Sequence, residues 1–330
     1  MKKILFMTTG GTIASSSSEE GLHPSMSSME LLSFLNQQEI DIEIDCIDLM
    51  QLDSSNMQPE EWRIIAQKIA DVCTSYEGIV LTHGTDTMGY TASALSFMLR
   101  NIKIPVVLTG SQLPLNHPLS DGIDNIRCAF AMAKSGYGGV FVAFNRKVLL
   151  GARAVKVKTM GFDAFESVNE EAIGVIDARG LIIREELLPK NNGDFKLEDQ
   201  LCQDVFLIKL TPGFNPEIFD MLTNMNYKGI VIEAFGAGGL HFIRRDLIAK
   251  LQMMVDQGIS VVVCSQCLYE RSDFSIYQTG QKVLKQGVIQ GLDMTSEACV
   301  TKLMWALGKT KDPAVVKAIF EINYVKEISL

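Results

Sequence analysis

The chain has 330 residues, of which 47% are hydrophobic and 21% charged, and its formal net charge is -9. At about 100–200 residues per domain, this length suggests two domains. The apolar content excludes a disordered protein, which needs low hydrophobicity and high charge. Lysines and arginines occur in runs no longer than a pair, which argues against a general nucleic-acid or membrane-surface binder.

The N-terminus and the cysteines predict a cytoplasmic protein. The apolar run from Ile4 to Met7 is shorter than the ~7–15 residues of a signal-peptide core. No other stretch reaches the ~18–20 apolar residues that span a bilayer. The seven scattered cysteines are expected to be reduced thiols, mostly buried as small hydrophobic side chains.

No metal or cofactor site is predicted. Cys264 and Cys267 have the CxxC spacing of zinc and redox sites, but neither a second pair nor a nearby histidine accompanies them. Packing near a strand end is therefore favoured over a metal or redox role. The four histidines are far apart in the sequence and form no HExxH-type pair: His23, His83, His117 and His241.

In chain order, the first half alternates short apolar runs with segments of helical spacing. Ile40 to Leu49 has the period-two alternation of a half-buried strand, and Pro59, followed by two glutamates, begins a predicted helix that extends to about Cys73. Strands separated by helices indicate a largely parallel sheet covered on both faces. The other predicted strands are Lys3 to Thr8, Gly78 to Thr82, Pro105 to Thr109 and Gly139 to Phe144, and the other predicted helices are Gly89 to Arg100 and Gly122 to Lys134.

The alternation breaks in a polar stretch, which predicts a linker at residues 188–204. This linker separates an N-terminal domain, residues 1–187, from a C-terminal domain, residues 205–330. The predicted fold class is α/β with two domains: a larger N-terminal one with a mostly parallel sheet flanked by helices, and a smaller C-terminal one with a parallel sheet. The second half contains predicted strands Val205 to Leu210, Gly229 to Ala234 and Ser260 to Cys264, and predicted helices Pro216 to Met225, Arg245 to Asp256, Ser296 to Leu307 and Pro313 to Glu321.

Candidate functional residues follow the predicted strands, because ligands of open α/β sheets bind beyond the carboxyl ends of the strands. Gly10, Gly11 and Thr12 follow the first strand. Adjacent glycines permit a sharp turn and leave amide N–H groups free to point at a ligand. A plain turn explains this segment equally well when it is considered alone.

Three further strand ends carry short polar side chains. Thr85 and Asp86 follow the strand that ends at Thr82; helix capping explains one of them but not both. Ser54 and Ser55 lie in a polar run for which a plain turn is favoured in isolation, and Ser111 follows the strand that ends at Thr109. Together these positions offer hydroxyls, a carboxylate and free amides to a small zwitterionic ligand.

A hydroxyl nucleophile needs an adjacent base near neutral pH. Neither a Ser-His-Asp pattern nor a G-x-S-x-G elbow is present. Lys156 lies in a modestly apolar segment and is the candidate base, since a partly buried lysine titrates closer to neutral pH. For this segment alone, a solvated lysine is the favoured interpretation.

These motifs resemble those of the bacterial-type L-asparaginases, most closely the cytoplasmic type I branch. The two signatures are TGGTIA at Thr9 to Ala14 and THGTDTM at Thr82 to Met88, and the similarity extends to DMTSEACVTKL at Asp293 to Leu303. The resemblance implies two α/β domains, with the catalytic threonines in the larger one. It also implies cofactor-independent hydrolysis of L-asparagine to L-aspartate and ammonia by a homo-oligomer, either a dimer or a tetramer.

By motif, the resemblance implies a role for each candidate. Thr12 resembles the nucleophile that forms a β-acyl-enzyme, and Thr85 the second threonine, grouped with Lys156 and Asp86. Asp86 is also expected to bind the substrate α-amino group. Backbone amides of the turn at Gly11 and Thr12 and of the Thr85 region are expected to form the oxyanion hole. The remaining substrate-binding candidates are Ser54 and Ser55 for the two α-groups and Ser111 for the leaving amide.

The chain departs from the family pattern at two places. The family usually has a tyrosine on the loop after the first threonine, and that place holds Leu22. The alternatives are that Tyr269, Tyr277 or Tyr324 replaces it, or that Thr12 is activated differently. Where the periplasmic branch has an asparagine contributed by the partner subunit, this chain has Gly239, so sharing of the site between subunits stays open.

Two other functions remain as alternatives. One is an enzyme that acts mainly on glutamine, or on amides within a larger partner. The other, from a different class, is a non-catalytic amino-acid-binding sensor on the same scaffold, for which the missing loop tyrosine is the support.

Overall fold

The computed structural model describes residues 2–18, 21–35, 42–274 and 278–329 of the chain. The chain divides into two compact units, Met1–Asp199 and Gln200–Leu330. This division lies within the stretch 188–204 in which a linker is predicted from the sequence. The N-terminal unit is the larger one, in agreement with the predicted fold class.

The N-terminal unit is built around an eight-stranded mixed sheet with the strand order β13-β12-β9-β8-β7-β5-β1-β4. Its elements are β1 (Lys2–Gly10), β2 (Ser15–Ser18), β3 (Gly21–Pro24), α1 (Ser28–Ser33), β4 (Ile42–Leu52), α2 (Pro59–Val72), β5 (Gly78–Thr82), α3 (Met88–Met98), β6 (Leu99–Arg100), β7 (Pro105–Thr109), α4 (Gly122–Ala133), β8 (Gly139–Phe144), β9 (Lys147–Leu150), β10 (Ala154–Lys156), β11 (Phe165–Ser167), β12 (Gly174–Asp177), β13 (Gly180–Ile183) and β14 (Lys196–Leu197). Strands β4, β1, β5, β7 and β8 are parallel, and β9, β12 and β13 extend the sheet in antiparallel fashion.

The parallel strands are buried because helices cover the sheet. Every residue of β5, β7 and β8 is buried, and α4 packs against all three strands. Such burial on both faces explains why these strands are continuous apolar runs in the sequence. The antiparallel edge was not predicted, since β9 to β13 are only four residues long or shorter and lack a clear period.

Several elements of the N-terminal unit differ from the predicted ones. Helix α3 ends at Met98, two residues before the predicted end, because Leu99–Arg100 forms strand β6 and pairs with β14. Strand β4 begins at Ile42, and the predicted start at Ile40 lies outside the described residues. The short hairpin of β2 and β3 and the six-residue helix α1 were not predicted.

The first part of the predicted linker is bound to the N-terminal unit. The Asn191 side chain donates to the carbonyl oxygens of Gly138, at 2.7 Å, and Ile102, at 3.1 Å. The Lys103 ammonium donates to the Asn191 carbonyl at 3.1 Å. The polar side chains of this stretch thus form hydrogen bonds with backbone carbonyls of the N-terminal unit. The sequence pattern alone does not distinguish such a bound segment from a solvent-exposed linker.

The C-terminal unit has a four-stranded sheet in the order β15-β16-β17-β18, all parallel, as the fold class predicted. Helix α9 begins after Asp312, whose carboxylate accepts the Ala314 amide at 2.9 Å as an N-cap. Helix α7 and strand β18 were not predicted. The elements are β15 (Val205–Lys209), α5 (Ile218–Asn224), β16 (Gly229–Ala234), α6 (Leu247–Asp256), β17 (Ser260–Ser265), α7 (Gln278–Lys285), β18 (Ile289–Gln290), α8 (Ser296–Lys309) and α9 (Pro313–Phe320).

All seven cysteines are free thiols. Cys264 is buried in β17, whereas Cys267, beyond the end of that strand, is exposed. The CxxC pair therefore has one core member and one surface member, and only Cys264 fits the predicted packing role. Across the described ranges, no helix is both long enough and apolar enough to cross a membrane.

Candidate active site

The carboxyl ends of four parallel strands meet at one edge of the N-terminal sheet. Gly10 of β1 pairs in register with Leu52 of β4, and Thr82 of β5 pairs with Thr109 of β7. The segments that follow these strands contain most of the candidate functional residues predicted from the sequence. Parallel register thus brings together segments that are about 30 residues or more apart in the chain.

Two glycines allow three of these segments to touch. Gly11 has φ = +82°, and a Cβ added there would lie 2.4 Å from the Gly84 nitrogen. A Cβ added at Gly84 would lie 2.6 Å from the Cβ and Oγ of Ser54. Contacts this short exclude a side chain at either position, so both glycines are required for the close approach of these segments, and Gly11 also for its positive φ.

Lys156 joins the second threonine to the aspartate. Its ammonium nitrogen lies 2.8 Å from Thr85 Oγ1 and 2.6 Å from Asp86 Oδ1. The lysine side chain is 18% exposed and the aspartate side chain 67% exposed, so the cluster opens to solvent on the carboxylate side. The three residues grouped by the family resemblance are therefore in direct contact, with Lys156 supplied by the short hairpin of β10 and β11.

The two serines after β4 have different environments. Ser54 is buried, and its hydroxyl accepts the Asp86 amide at 3.3 Å while its carbonyl accepts the Thr87 hydroxyl at 2.7 Å. The exposed Ser55 donates its amide and its hydroxyl to Asp53 Oδ1, at 2.8 and 2.7 Å. These two hydrogen bonds lower the pKa of the Asp53 carboxyl from its usual value. Ser55 thus has only its hydroxyl lone pairs left for a ligand.

Ser111 is buried and its hydroxyl donates to the Leu113 carbonyl within the same loop. This bond uses the hydrogen of the hydroxyl, so Ser111 can still accept a hydrogen bond through its hydroxyl lone pairs.

The next residue, Gln112, was not predicted as a site residue, but it belongs to the cluster of Thr85, Asp86 and Lys156. Its side-chain oxygen accepts the Thr85 hydroxyl at 3.2 Å, and its side-chain nitrogen donates to the carbonyls of Thr159 and Gly161, at 3.0 and 3.2 Å. Because two carbonyls demand the NH₂ end, the amide oxygen faces Thr85. The sequence offered one indication of this role, the position of Gln112 directly after Gly110 and Ser111 at the end of a strand. An ordinary turn residue occupies the same kind of position, so the pattern did not identify Gln112 as a site residue.

Asp121 and Asn125 of the α4 start hold the loop that carries Ser111 and Gln112. The Asp121 carboxylate accepts the Gln112 amide at 3.0 Å, and Asn125 donates to the Gly110 carbonyl at 2.9 Å. Nothing in the spacing of these two residues indicated this role, because their partners are backbone groups of another segment.

Thr12 begins a short 3-10 turn directly after Gly11 and is half-buried. Within the described part of the chain, its hydroxyl has no hydrogen-bond partner, and the amides of Thr12 and Thr85 have no acceptor. A free hydroxyl beside free amides matches what acyl transfer requires of a nucleophile and an oxyanion site.

Some of the residues at the two departures from the family pattern, and of the tyrosines considered as replacements, lie outside the described residues and side chains. Tyr277 and the Leu22 side chain are not among the described residues and side chains. Tyr324 packs edge-on against Trp305 inside the C-terminal unit, and Tyr269 is 48% exposed. Gly239 closes a tight turn by donating its amide to the Phe235 carbonyl. Among the described residues, no group of three or more His, Cys, Asp or Glu side chains is arranged to hold a metal ion.

Comparison with known proteins places both units in one family. The model of the asparaginase N-terminal domain matches residues 3–188, and the model of the glutaminase/asparaginase C-terminal domain matches residues 204–320. Together the two matches cover most of the chain.

Individual relatives agree over the full length. The chain is 40% identical to L-asparaginase of Thermococcus kodakarensis across 99% of both chains. A solved structure of the thermostable L-asparaginase from that organism superposes with a TM-score of 0.93 over 99% of both chains. L-asparaginase I of Vibrio cholerae is 31% identical, with a TM-score of 0.88 over 100% of this chain and 99% of the other. A Glutamyl-tRNA(Gln) amidotransferase subunit of Pyrococcus furiosus is 39% identical over 99% of this chain and 76% of its own length.

The two asparaginase-family domains, and the 40% identity over the full length to a relative named L-asparaginase, identify the chain as an amidohydrolase. The chain belongs to the asparaginase family, and its solved relatives include type I bacterial L-asparaginases. The family resemblance and the predicted two-domain fold are thereby confirmed.

Proposed function

We propose that this chain hydrolyses L-asparagine to L-aspartate and ammonia through a threonine nucleophile. The observation that carries the proposal is the Lys156 ammonium, in contact with both Thr85 Oγ1 and Asp86 Oδ1 beside the turn at Gly11 and Thr12. The name of the 40% identical relative, L-asparaginase, supports the choice of substrate.

In the proposed reaction, the Thr12 hydroxyl attacks the side-chain amide carbon of the substrate. A C–O bond forms and the carbonyl oxygen gains a negative charge. The amides of Thr12 and Thr85, which have no acceptor among the described residues, stabilise that charge. The C–N bond then breaks, the nitrogen accepts the proton that the Thr12 hydroxyl has lost and leaves as ammonia, and a β-acyl-enzyme remains. Water attacks this ester, releasing aspartate and restoring the threonine hydroxyl.

Lys156 and Thr85 are proposed to move the proton. The Nζ–Oγ1 distance of 2.8 Å is within reach of proton transfer when the lysine is neutral. In the arrangement seen here, Lys156 donates to Thr85, and Thr85 donates to Gln112. These two bonds hold the Thr85 oxygen in place, and transfer of its proton to a neutral Lys156 requires the hydroxyl hydrogen to turn from Gln112 towards Nζ.

Recognition of the substrate is proposed to rest on its two α-groups. Asp86 uses one carboxylate oxygen for Lys156 and has its other carboxylate oxygen for the α-ammonium. The Ser55 hydroxyl, which donates to Asp53, keeps its lone pairs for the same group. Ser54 and the Gly11 turn lie on the same side of the strand ends. An analogue that lacks one α-group leaves a polar partner unpaired, at a cost of ~1–3 kcal/mol. The chemistry uses only side chains and amides of the chain itself.

The test is ammonia release from L-asparagine and L-glutamine by the wild type, T12A, T12S and T85A. We expect asparagine turnover in the wild type and a loss of about 10³-fold or more in kcat for T12A and T85A, as when a member of a concerted catalytic set is removed. T12S is the matched control, because it keeps the hydroxyl and is expected to retain measurable turnover. Full turnover by T12A contradicts the proposed nucleophile, and binding of asparagine without ammonia release favours the amino-acid sensor.

The second candidate is an enzyme that acts on glutamine or on amides within a larger partner. The 39% identical relative named as an amidotransferase subunit favours it. A wild-type preference for glutamine over asparagine in kcat/KM supports this candidate over the first.

We also propose that the enzyme works in the cytoplasm as a homo-oligomer, either a dimer or a tetramer. Seven free cysteines support a reducing compartment. Light scattering during gel filtration measures the oligomeric mass.

A further inference from the structure

His83 is a fully buried histidine at the carboxyl end of β5 that the proposed reaction does not use. Its side chain is 0% exposed and lies one residue before Gly84, in the segment that carries Thr85 and Asp86. Burial lowers the pKa of its imidazole to about 4, so the ring is neutral at ordinary pH. A buried neutral imidazole has one donor and one acceptor nitrogen, and both need partners.

The hydrogen-bond directions around the ring are determined by its neighbours. The Trp62 indole can only donate, and it donates to Thr91 Oγ1 at 2.9 Å. The Gly84 carbonyl can only accept, and it lies 2.7 Å from His83 Nδ1. The Thr91 hydroxyl, 2.9 Å from His83 Nε2, therefore donates to that nitrogen, and the ring carries its hydrogen on Nδ1.

This chain of bonds ends on the peptide that precedes Thr85. In a planar trans peptide, the carbonyl and the N–H point in opposite directions. Since His83 holds the Gly84 oxygen on the buried side, the Thr85 N–H points away from His83. No described residue accepts that N–H, and Gly84 lies directly against the turn at Gly11.

We infer that His83 is a positioning residue for the oxyanion site: by holding the Gly84 carbonyl it keeps the Thr85 N–H directed at the reacting amide. Trp62 of α2 and Thr91 of α3 hold the imidazole in the required tautomer. Residues of two helices thereby determine the direction of the Thr85 amide at the end of β5. The inference rests on the proposed function, in which the Thr85 amide stabilises the oxyanion.

The kinetic test compares H83L, H83N and T91V with the wild type. Leucine removes the donor to Gly84, and we expect kcat to fall about 10-fold to 100-fold with KM within about threefold, because an oxyanion contact acts only in the transition state. Asparagine is the matched control, since its side-chain NH₂ can take the place of Nδ1–H, and it is expected to recover most of kcat. T91V, which leaves Nε2 unpaired, is expected to lower kcat in the same direction by a smaller factor.

An unchanged kcat in H83L overturns the inference, and so does an H83N variant as slow as H83L. If H83L does not fold, as judged by its thermal transition, the kcat values of H83N and T91V test the inference. A wild-type kcat in T91V together with a low kcat in H83N contradicts the proposed series of hydrogen bonds.

A structural readout separates this inference from the proposed function. Crystal structures of wild type and H83N should show the Gly84 carbonyl bonded at residue 83, while in H83L the Gly84–Thr85 peptide should rotate. An unrotated peptide in H83L overturns the inference whether or not the wild type releases ammonia. Absence of ammonia from both amino-acid amides in the wild-type assay instead rejects the proposed function alone.

Discussion

At the scale of single residues, the site depends on hydrogen bonds whose direction is forced. Gln112 must present its oxygen to Thr85 because its nitrogen serves two carbonyls, and Ser55 has given its donors to Asp53. The sequence gives the residue types, but it does not show which of their donor and acceptor atoms are already used in hydrogen bonds within the protein. A hydroxyl that looks available in a motif is available only where no neighbour has used it.

His83 gives the folded protein a pH-dependent stability. Its pKa is about 4 when folded, against 6.5 in its usual state, so between those values the unfolded chain binds the extra proton. The free energy of unfolding is therefore expected to decrease as the pH falls from about 6.5 to 4, by up to about 3 kcal/mol at ~1.4 kcal/mol per pKa unit.

Urea unfolding of wild type and H83N between pH 7 and 4 measures this contribution. Asparagine does not titrate, so the difference between the two proteins removes the effect of the carboxylates. A difference that stays constant over this pH range contradicts the assignment to His83.

At the scale of elements, the C-terminal segment is attached to α8 by a buried ion pair. Lys302 and Glu327 are both 0% exposed, with Nζ and Oε1 2.6 Å apart. The ammonium also donates to the carbonyls of Ile322 and Phe320, at 2.8 and 3.2 Å, and Glu327 accepts the backbone amides of Tyr324 and Val325. Both charges thus have hydrogen-bond partners that partly replace water.

Removing one partner of this pair is expected to be strongly destabilising, because the other charge stays buried and unpaired. For K302M we expect a loss of about 3–5 kcal/mol in the free energy of unfolding, measured with urea. The double variant K302M/E327L, which buries neither charge, is expected to lose less than the single variant. A single variant within about 1 kcal/mol of wild type contradicts the structural role of the pair.

At the scale of the whole molecule, a net charge of -9 has little influence on a neutral substrate. Asparagine is a zwitterion, so long-range attraction or repulsion does not change its encounter rate. We expect kcat/KM for asparagine to vary less than about twofold between about 20 and 300 mM NaCl, a range in which the screening length shortens severalfold.

L-aspartate is the matched control ligand, since it differs from asparagine mainly by one negative charge. Its inhibition constant is expected to decrease as salt rises, because screening weakens repulsion by the acidic protein. A strong salt dependence for asparagine itself indicates a net local charge at the site, contrary to this expectation.

Much of the fold was predictable because its signals are local. Strands β5, β7 and β8 were predicted with the bounds that the structure has, since a strand buried on both faces is a continuous apolar run between turn residues. The short β6 was missed, and Leu99–Arg100 was assigned to a helix, because pairing with β14 overrides local propensity.

The sequence by itself determined the α/β class, the two-domain organisation and the threonines, serines and glycines at the strand ends, because periodicity and glycine-threonine turns are properties of neighbouring residues. Only the tertiary structure decided which of them meet. Lys156 reaches Thr85 across 71 residues and Gln112 reaches it across 27, distances over which a sequence pattern contains no geometric information. The same applies to His83, whose partner Thr91 lies in α3 and is in turn bonded to Trp62 of α2. Its neutrality depends on burial that exists only in the folded chain.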